Sequence, residues 1–159
     1  MKWRKRPPGT LANNASSVII SPMSPDPSRP QPRVSIRTGV DICDPARIKK
    51  AVARHGERFL RHIFTQGEMD RCSRMADPNP SYAARFAAKE AVMKVLGKGI
   101  GKVSFTEIDI SADEEGRPVV TLSGKAEKIA LELGIASLDV SLSHEKGMAV
   151  AFAAGIVGG

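Results

Sequence analysis

The residues Ser81-Tyr-Ala-Ala-Arg85-Phe-Ala-Ala-Lys89-Glu90-Ala-Val-Met-Lys94-Val-Leu-Gly97 predict one long helix. On a period of 3.6 residues, one stripe of this helix carries only small side chains that can pack closely, namely Ala84, Ala88, Ala91 and Val95. Glu90 and Lys94 are one turn apart and project together from a different face. A carboxylate beside an ammonium group is usually a solvated ion pair, so this pair gains meaning only together with other segments.

A second carboxylate, Asp41, lies in the run Ile36-Arg-Thr-Gly39-Val40-Asp41-Ile42. Val40 and Ile42 are β-prone and share a parity, which puts Asp41 on the opposite face of a short strand. Gly39 would let another backbone approach this strand closely. Taken alone, Asp41 is equally well explained as a charge on an edge strand.

The C-terminal segment predicts a β-hairpin. Apolar and polar residues alternate from Leu138 to Phe152 on both sides of a turn that contains Gly147. His144 falls at the end of the first strand, on the parity of the apolar residues. A single histidine in that position is more often half-buried than a ligand.

The remaining elements complete an α+β pattern. Asp44 is a candidate helix N-cap before Pro45, Gly56 interrupts the helix that follows, and Thr65 to Glu68 has the form of a capping box. The expected helices are 47–54, a short one through Phe59 and Ile63, one after Thr65, 81–97 and 123–133; the expected strands are 104–110 and 118–122. Because helices precede antiparallel strands, we predict an α+β domain with an antiparallel sheet and a long packed helix.

Composition divides the chain at about residue 33. The net charge of +7 comes mostly from residues 1–38, which hold seven lysines and arginines against one aspartate and leave 17 basic and 16 acidic residues in the rest. Most of the eleven prolines also lie between positions 7 and 32. We therefore predict a disordered, basic Pro/Ser-rich tail over residues 1–33 and one domain over 34–159.

No stretch has the length of a membrane span or the pattern of a secretory signal, and Met23 could equally be the start of translation. Cys43 and Cys72 lack a CxxC spacing, which favours reduced thiols in a cytoplasmic protein.

The motifs occur together in one order: Gly39-Val-Asp41-Ile, Arg47-Ile48, Arg85-Phe-Ala-Ala-Lys89-Glu90-Ala-Val-Met-Lys94 with its glycine loop, Ser104-Phe105, Gly116-Arg-Pro118 and Val140-Ser-Leu-Ser143-His144. In this order and spacing the chain resembles the holo-acyl-carrier-protein synthases, the small bacterial type of 4′-phosphopantetheinyl transferase. The resemblance extends over about residues 36–155.

The resemblance implies an enzyme of fatty acid biosynthesis that transfers the phosphopantetheine arm of coenzyme A to a serine of apo-acyl carrier protein and releases adenosine 3′,5′-bisphosphate. It implies Mg²⁺, or Mn²⁺, held by Asp41 and Glu90. Glu90, or a metal-bound water beside it, would be the general base, and Lys94 would neutralise the diphosphate or only pair with Glu90.

The resemblance also implies a homotrimer with the phosphopantetheinyl transferase fold and with sites between subunits. Coenzyme A would meet residues of the long helix, its glycine loop and the hairpin: Arg85, Lys89, Lys94, Gly97, Gly99, Ser143 and His144. An acidic acyl carrier protein would dock on the basic first helix through Arg47, Arg54 and Arg58.

Two other classes of function remain open at this point. A non-catalytic homologue could bind carrier protein or coenzyme A without reaction, although both Asp41 and Glu90 are present. A nucleic-acid binder could act through the basic tail, but the domain has no interleaved aromatic and basic residues of the kind that stack on bases.

Overall fold

The computed structural model describes residues 34–99, 101–145 and 147–158. In chain order its elements are β1 (Ser35–Cys43), α1 (Pro45–Ile63), α2 (Gln66–Cys72), α3 (Asn79–Val95), a 3₁₀ turn (Phe105–Glu107), β2 (Ile108–Ala112), β3 (Pro118–Leu122), α4 (Gly124–Glu132), β4 (Ile135–Glu145) and β5 (Met148–Val157). This arrangement confirms the predicted α+β class, with the long helix and an antiparallel sheet as its main parts.

Three strands form the principal sheet in the order β1-β5-β4, with every pair antiparallel. The predicted hairpin is therefore β4–β5, and its second strand is also the centre of the sheet. Asp41 of β1 lies opposite Ala151, and its neighbour Val40 lies opposite Phe152. The strands β2 and β3 form a separate two-stranded antiparallel sheet.

Helix α3 lies against the inner face of the principal sheet at close range. Its predicted stripe of Ala84, Ala88, Ala91 and Val95 is buried, as expected. The close approach depends on Gly39 in β1, where a Cβ atom would stand 2.0 Å from the carbonyl oxygen of Ala91. Glycine at this position therefore allows β1 to lie directly on α3, and this fixes Asp41 beside the helix.

Capping residues and a glycine correctly predicted where the first two helices begin and where α1 is interrupted. Asp44 caps α1 by accepting a hydrogen bond from the Ala46 N–H at 2.7 Å, and Thr65 and Glu68 form the expected capping box at the start of α2. Gly56 interrupts α1 with φ 57° and ψ −144°, a conformation that glycine adopts far more readily than other residues.

Several boundaries differ from the prediction, most of them by one or two residues, and two of the differences have a clear local cause. The segment expected as a strand over 104–110 begins with a 3₁₀ turn, because the Glu107 carboxylate accepts a hydrogen bond from the Ser104 N–H at 2.9 Å and closes a local loop. The strand starts only at Ile108. Helix α3 begins at Asn79 rather than Ser81, since Pro80 is compatible with the first turn of a helix.

Helices that could cross a membrane are absent from the described part of the chain, none being both long and apolar enough. The predicted tail, residues 1–33, lies outside the described residues. The structure therefore does not bear on the nucleic-acid binding that was considered for the tail. Arg37, which contributed to the basic charge of the N-terminal segment, belongs instead to β1.

Candidate active site

Helix α3 and strand β1 bring three predicted site residues together. The Lys94 ammonium group lies 3.0 Å from Asp41 Oδ1 and also donates a hydrogen bond to the Val40 carbonyl oxygen. Lys94 thus spans from the helix to the strand. The spacing had suggested Glu90 as its partner, but the closest carboxylate contact of Lys94 is with Asp41.

Glu90 presents a carboxylate that is incompletely satisfied. Its Oε1 atom is buried and has no hydrogen-bond partner among the described residues. Burial raises the pKa of Glu90, and the charge of Asp41 raises it further, against smaller opposing effects of Lys94 and Arg47. A partly buried carboxylate beside a second carboxylate attracts a cation.

A divalent cation fits these two donors chemically. Mg²⁺ is commonly held by one or two carboxylates and completes its coordination with water and substrate phosphates. Within the described residues, no group of three or more His, Cys, Asp or Glu side chains is arranged for a metal. Asp41 and Glu90 could therefore supply two ligands to Mg²⁺ or Mn²⁺, with water or substrate phosphate oxygens supplying the others.

A cavity of about 370 Å³ opens beside Glu90 at the end of α3. Its lining includes four residues expected at the site and two others: Glu90, Lys94, Gly97, Gly99, Met93 and Lys98. Gly97 has φ 64° and ends the helix in the left-handed conformation, as its sequence position suggests. Lys98 is a cationic lining residue that sequence reasoning missed, although its position between two glycines of the loop was a usable signal.

Arg85 lies on the buried side of α3. It donates to the side-chain and backbone oxygens of Ser81 at 2.7 and 3.3 Å, while its Nε is buried without a partner among the described residues. A guanidinium group with an unused buried donor retains capacity for an anion. Arg85 does not line the cavity beside Glu90.

Lys89 has a different environment from the one expected for a phosphate ligand. Its side chain is fully buried, at 0% exposure, and its ammonium group lies 2.7 Å from Glu68 Oε2. It also donates to the carbonyl oxygens of Phe105 and Ile108 at 2.9 and 2.7 Å. Because an ammonium group has three hydrogens and all three have acceptors here, Lys89 has no donor left for coenzyme A.

Ser143 and His144 lie on β4, which is separated from β1 and Asp41 by the central strand β5. Both are exposed, and His144 stands opposite Ala149 on β5, which in turn stands opposite Cys43 at the end of β1. Neither residue lines the cavity beside Glu90. Within one chain the structure does not bring them together with Glu90 and Lys94.

The basic residues of α1 are exposed along the length of the helix. One hollow of about 740 Å³ is lined by residues before Gly56: Arg47, Lys50, Ala51, Ala53, Arg54 and His55. A second, of about 630 Å³, is lined by His55, Arg58, Phe59, Arg61 and His62. Arg47 is close enough to Glu90 to affect its pKa, so this surface reaches the candidate site. The two histidines were not singled out from the sequence.

Substituting Gly39 with alanine should disrupt the site through packing alone. The new Cβ would overlap the Ala91 carbonyl oxygen at 2.0 Å and Lys94 Cβ at 2.9 Å, so β1 would have to move away from α3 and carry Asp41 with it. We expect a loss of about 2–3 kcal/mol in the free energy of unfolding, measured by urea denaturation. Gly67→Ala is the matched control, because no atom outside its own stretch of α2 lies within 4 Å of its new Cβ. Equal stability of the two variants would contradict this account.

Known proteins with similar sequences and structures agree on one family. The family model of the 4′-phosphopantetheinyl transferase superfamily matches residues 37–153. The holo-[acyl-carrier-protein] synthase of Ruminiclostridium cellulolyticum is 50% identical over 117 residues, covering 72% of this chain and 87% of that protein.

Two crystal structures are similar to this chain over nearly their whole length. The holo-[acyl-carrier-protein] synthase of Neisseria meningitidis has a TM-score of 0.69 and 34% identity, covering 75% of this chain and 96% of that one. The Helicobacter pylori enzyme, solved in complex with coenzyme A, has a TM-score of 0.65 and 36% identity, covering 77% and 99%.

Proposed function

The chain belongs to the 4′-phosphopantetheinyl transferase superfamily, and from this premise we propose that it is a holo-[acyl-carrier-protein] synthase. It transfers the 4′-phosphopantetheine group of coenzyme A to a serine hydroxyl of an apo-acyl carrier protein of fatty acid biosynthesis. The observation that carries this proposal is the Glu90 carboxylate, whose buried Oε1 atom has no partner among the described residues and which borders a cavity together with Lys94.

The reaction exchanges one phosphorus–oxygen bond for another. The serine oxygen forms a bond to the phosphorus that carries pantetheine, and the bond from that phosphorus to the adenosine 5′-phosphate breaks, releasing adenosine 3′,5′-bisphosphate. We propose that Glu90 accepts the serine proton, directly or through a water, because its carboxylate borders the cavity that would receive the substrate. Asp41 and Glu90 would hold Mg²⁺, which when bound supplies positive charge to the diphosphate oxygens.

Lys94 is the protein's own cation at the diphosphate. Its contact with Asp41 holds the ammonium group of this cavity-lining residue on β1, and we propose that it stabilises the negative charge that develops on the leaving phosphate. In this proposal Gly97, Lys98 and Gly99 line the part of the cavity that receives coenzyme A.

Lys94→Ala should lower kcat/KM by about 10²-fold, since it removes a charge that acts on the transition state. Steady-state kinetics with coenzyme A and an apo-carrier would measure this effect, and Lys128→Ala on the exposed side of α4 is the control. A change below about threefold would mean that Lys94 only pairs with Asp41.

The basic surface of α1 is suited to an acidic carrier protein. Arg47, Arg54 and Arg58 are exposed, and the surface they form continues to the edge of the site at Arg47. Opposite charges across an interface steer the encounter and fix the orientation of the partner. We propose that carrier protein docks here with its serine directed toward Glu90.

The outer face of the principal sheet supports a homotrimer. Large apolar side chains are exposed on adjacent strands there: Ile36, Val40, Ile42, Val150, Phe152 and Ile156. An apolar surface of this kind on a soluble domain usually marks an interface. In a trimer, Ser143 and His144, together with Arg85, could reach coenzyme A bound to a neighbouring subunit, although they lie apart from the cavity in one chain.

Phe152→Asp should break this assembly. Phe152 is 47% exposed at the centre of the face, and a carboxylate buried against another subunit would be strongly unfavourable. We expect size-exclusion chromatography with light scattering to show monomers, with kcat/KM reduced at least about tenfold because the site loses residues of the neighbour. Leu131→Asp is the control, since Leu131 is 71% exposed on α4. A trimeric Phe152→Asp protein would contradict the interface.

The function is tested by incubating the protein with coenzyme A, Mg²⁺ and each of several purified apo-carriers. Mass spectrometry should show the mass of a carrier increased by one phosphopantetheine group, with no increase for Asp41→Ala or Glu90→Ala. Absence of any mass shift, with coenzyme A still bound, would favour the non-catalytic alternative.

The free, buried Cys43 and Cys72 suit a reducing compartment, and we propose that the reaction takes place in the cytoplasm.

A further inference from the structure

Arg37 connects strand β1 to the end of helix α3. It lies on the parity of Gly39 and Asp41, and its Nε donates a hydrogen bond to the Val95 carbonyl oxygen at 2.6 Å. Its Nη2 atom stands 2.9 Å from the position that a Cβ atom on Gly97 would take. The guanidinium group therefore occupies the space beside the loop that follows the helix.

This contact completes the hydrogen bonding at the helix C-terminus. The carbonyl oxygens of the last turn of a helix lack partners within the helix. Here those of Val92, Met93 and Lys94 accept from the N–H groups of Leu96, Lys98 and Gly97 at 3.0, 3.1 and 3.0 Å. The carbonyl of Val95 is satisfied by Arg37, so a side chain from the first strand closes the cap.

The position of Arg37 at the C-terminus of α3 matters because the cavity there would have to bind a negatively charged diphosphate. The C-terminus of a helix carries a partial negative charge, which disfavours a phosphate nearby. The loop that begins at this C-terminus, residues 97–99, lines the cavity together with Glu90 and Lys94. A guanidinium group bonded to the last helical carbonyl offsets that negative charge where a diphosphate would approach.

We propose that Arg37 is a positioning residue for coenzyme A: it fixes the conformation of loop 97–99 and cancels the negative helix end beneath it. This inference rests on the proposed function, in that coenzyme A is the ligand of the cavity. Arg37 acts through Val95 and Gly97, and it need not touch the substrate. Its loss should therefore weaken coenzyme A binding more than it slows the chemical step.

The test compares wild type with Arg37→Gln, Arg37→Lys and, as the control, Arg74→Gln, which removes an exposed charge between α2 and α3. Calorimetry would measure coenzyme A affinity, and initial rates would give KM for coenzyme A and kcat separately. We expect Arg37→Gln to raise KM and Kd about tenfold and to change kcat less than about threefold. Arg37→Lys, which keeps the charge but lacks the guanidinium group, should lose clearly less affinity than Arg37→Gln.

A purely structural role would lower the melting temperature of Arg37→Gln and leave KM for coenzyme A unmoved. The proposal is overturned if KM and Kd of Arg37→Gln lie within about twofold of those of Arg74→Gln. Arg37→Lys losing as much affinity as Arg37→Gln would overturn the role assigned to the charge. The wild type tests the proposed function separately. If it binds coenzyme A without transferring the phosphopantetheine arm, the transferase proposal fails while calorimetry still tests Arg37. If it binds no coenzyme A, both the transferase proposal and the Arg37 proposal are overturned.

Discussion

Glu90→Gln should abolish most of the transferase activity and at the same time make the metal-free protein more stable. The amide keeps the shape of the side chain but can neither accept the serine proton nor offer a charged ligand to Mg²⁺. We expect kcat/KM to fall by about 10²–10³-fold. Mn²⁺ affinity of the free protein, measured by electron paramagnetic resonance, should fall by more than about tenfold.

The gain in stability follows from the pKa of Glu90. Burial, and then the charge of Asp41, raises the pKa above its ordinary value. The folded state therefore favours the protonated form, and the stability contributed by Glu90 is present below its unfolded-state pKa and is lost as the pH rises through its folded-state pKa. At neutral pH the ionised group thus lowers the free energy of unfolding, and glutamine removes that cost.

Thermal unfolding at several pH values tests this second effect. At pH 8 without metal, the melting temperature of Glu90→Gln should exceed that of the wild type by about 2–6 °C, which corresponds to about 1 kcal/mol in a domain of this size. The difference should disappear toward about pH 3, below the unfolded-state pKa, where glutamate is protonated in both states. Glu132→Gln is the control, because Glu132 is exposed on α4. A Glu90→Gln protein that is less stable at pH 8 would show that the carboxylate is already compensated in the free protein.

Local patterns were sufficient to predict most of the elements. Asp44 and Thr65 begin α1 and α2 because their side chains cap backbone N–H groups a few residues away. The small-residue stripe of α3 predicted close packing, and Gly39 in β1 provides the other half of that contact. In each case the deciding interaction is short in sequence or depends on side-chain size alone.

Side chains whose partners are distant in sequence were not predictable in this way. Lys94 had a possible partner one turn away in Glu90, but the fold brings Asp41, 53 residues upstream, within 3.0 Å of its ammonium group. Arg37 counted only as one more N-terminal charge, since nothing near it in sequence shows that Val95 will be its acceptor. The pairing of strands with α3 decides these contacts.

The alternation of apolar and polar residues correctly predicted β1 as a strand. It did not predict which surface would bury the apolar face of that strand. Val40 and Ile42 lie on the face of β1 opposite to that of Asp41, as predicted, and both side chains are exposed in the single chain. Both faces of the principal sheet are therefore apolar, one against α3 and one outward. Sequence alternation identifies a face, whereas the partner that buries it depends on assembly.

Lys89→Met should cause the largest loss of stability of any substitution considered, because it breaks a buried ion pair from one side. The side chain of Glu68 is 1% exposed and would be left buried without the ammonium group that now lies 2.7 Å away. Removing one member of such a pair typically costs about 3–5 kcal/mol, which lowers the melting temperature by about 10–20 °C. Urea denaturation and differential scanning calorimetry would measure the loss, and Lys128→Met at an exposed site of α4 is the control.

The same pair makes two further results expected. Burial raises the pKa of Glu68 in the native protein, and the charge of Lys89 opposes this effect, so losing Lys89 raises the pKa further. A raised folded-state pKa contributes stability at low pH that disappears as the pH rises, so the penalty of Lys89→Met should be smaller at pH 5 than at pH 8. In the double variant Glu68→Gln, Lys89→Met, the total loss should be less than the sum of the single losses by about 1–3 kcal/mol.

These measurements also separate the two roles considered for Lys89. A lysine that binds coenzyme A would, when replaced, raise KM for coenzyme A and leave the melting temperature close to that of the control. A lysine whose three donors serve Glu68, Phe105 and Ile108 would lower the melting temperature and couple to Glu68. We expect the second result, because a phosphate could reach this ammonium group only by displacing acceptors from the core between α2, α3 and β2.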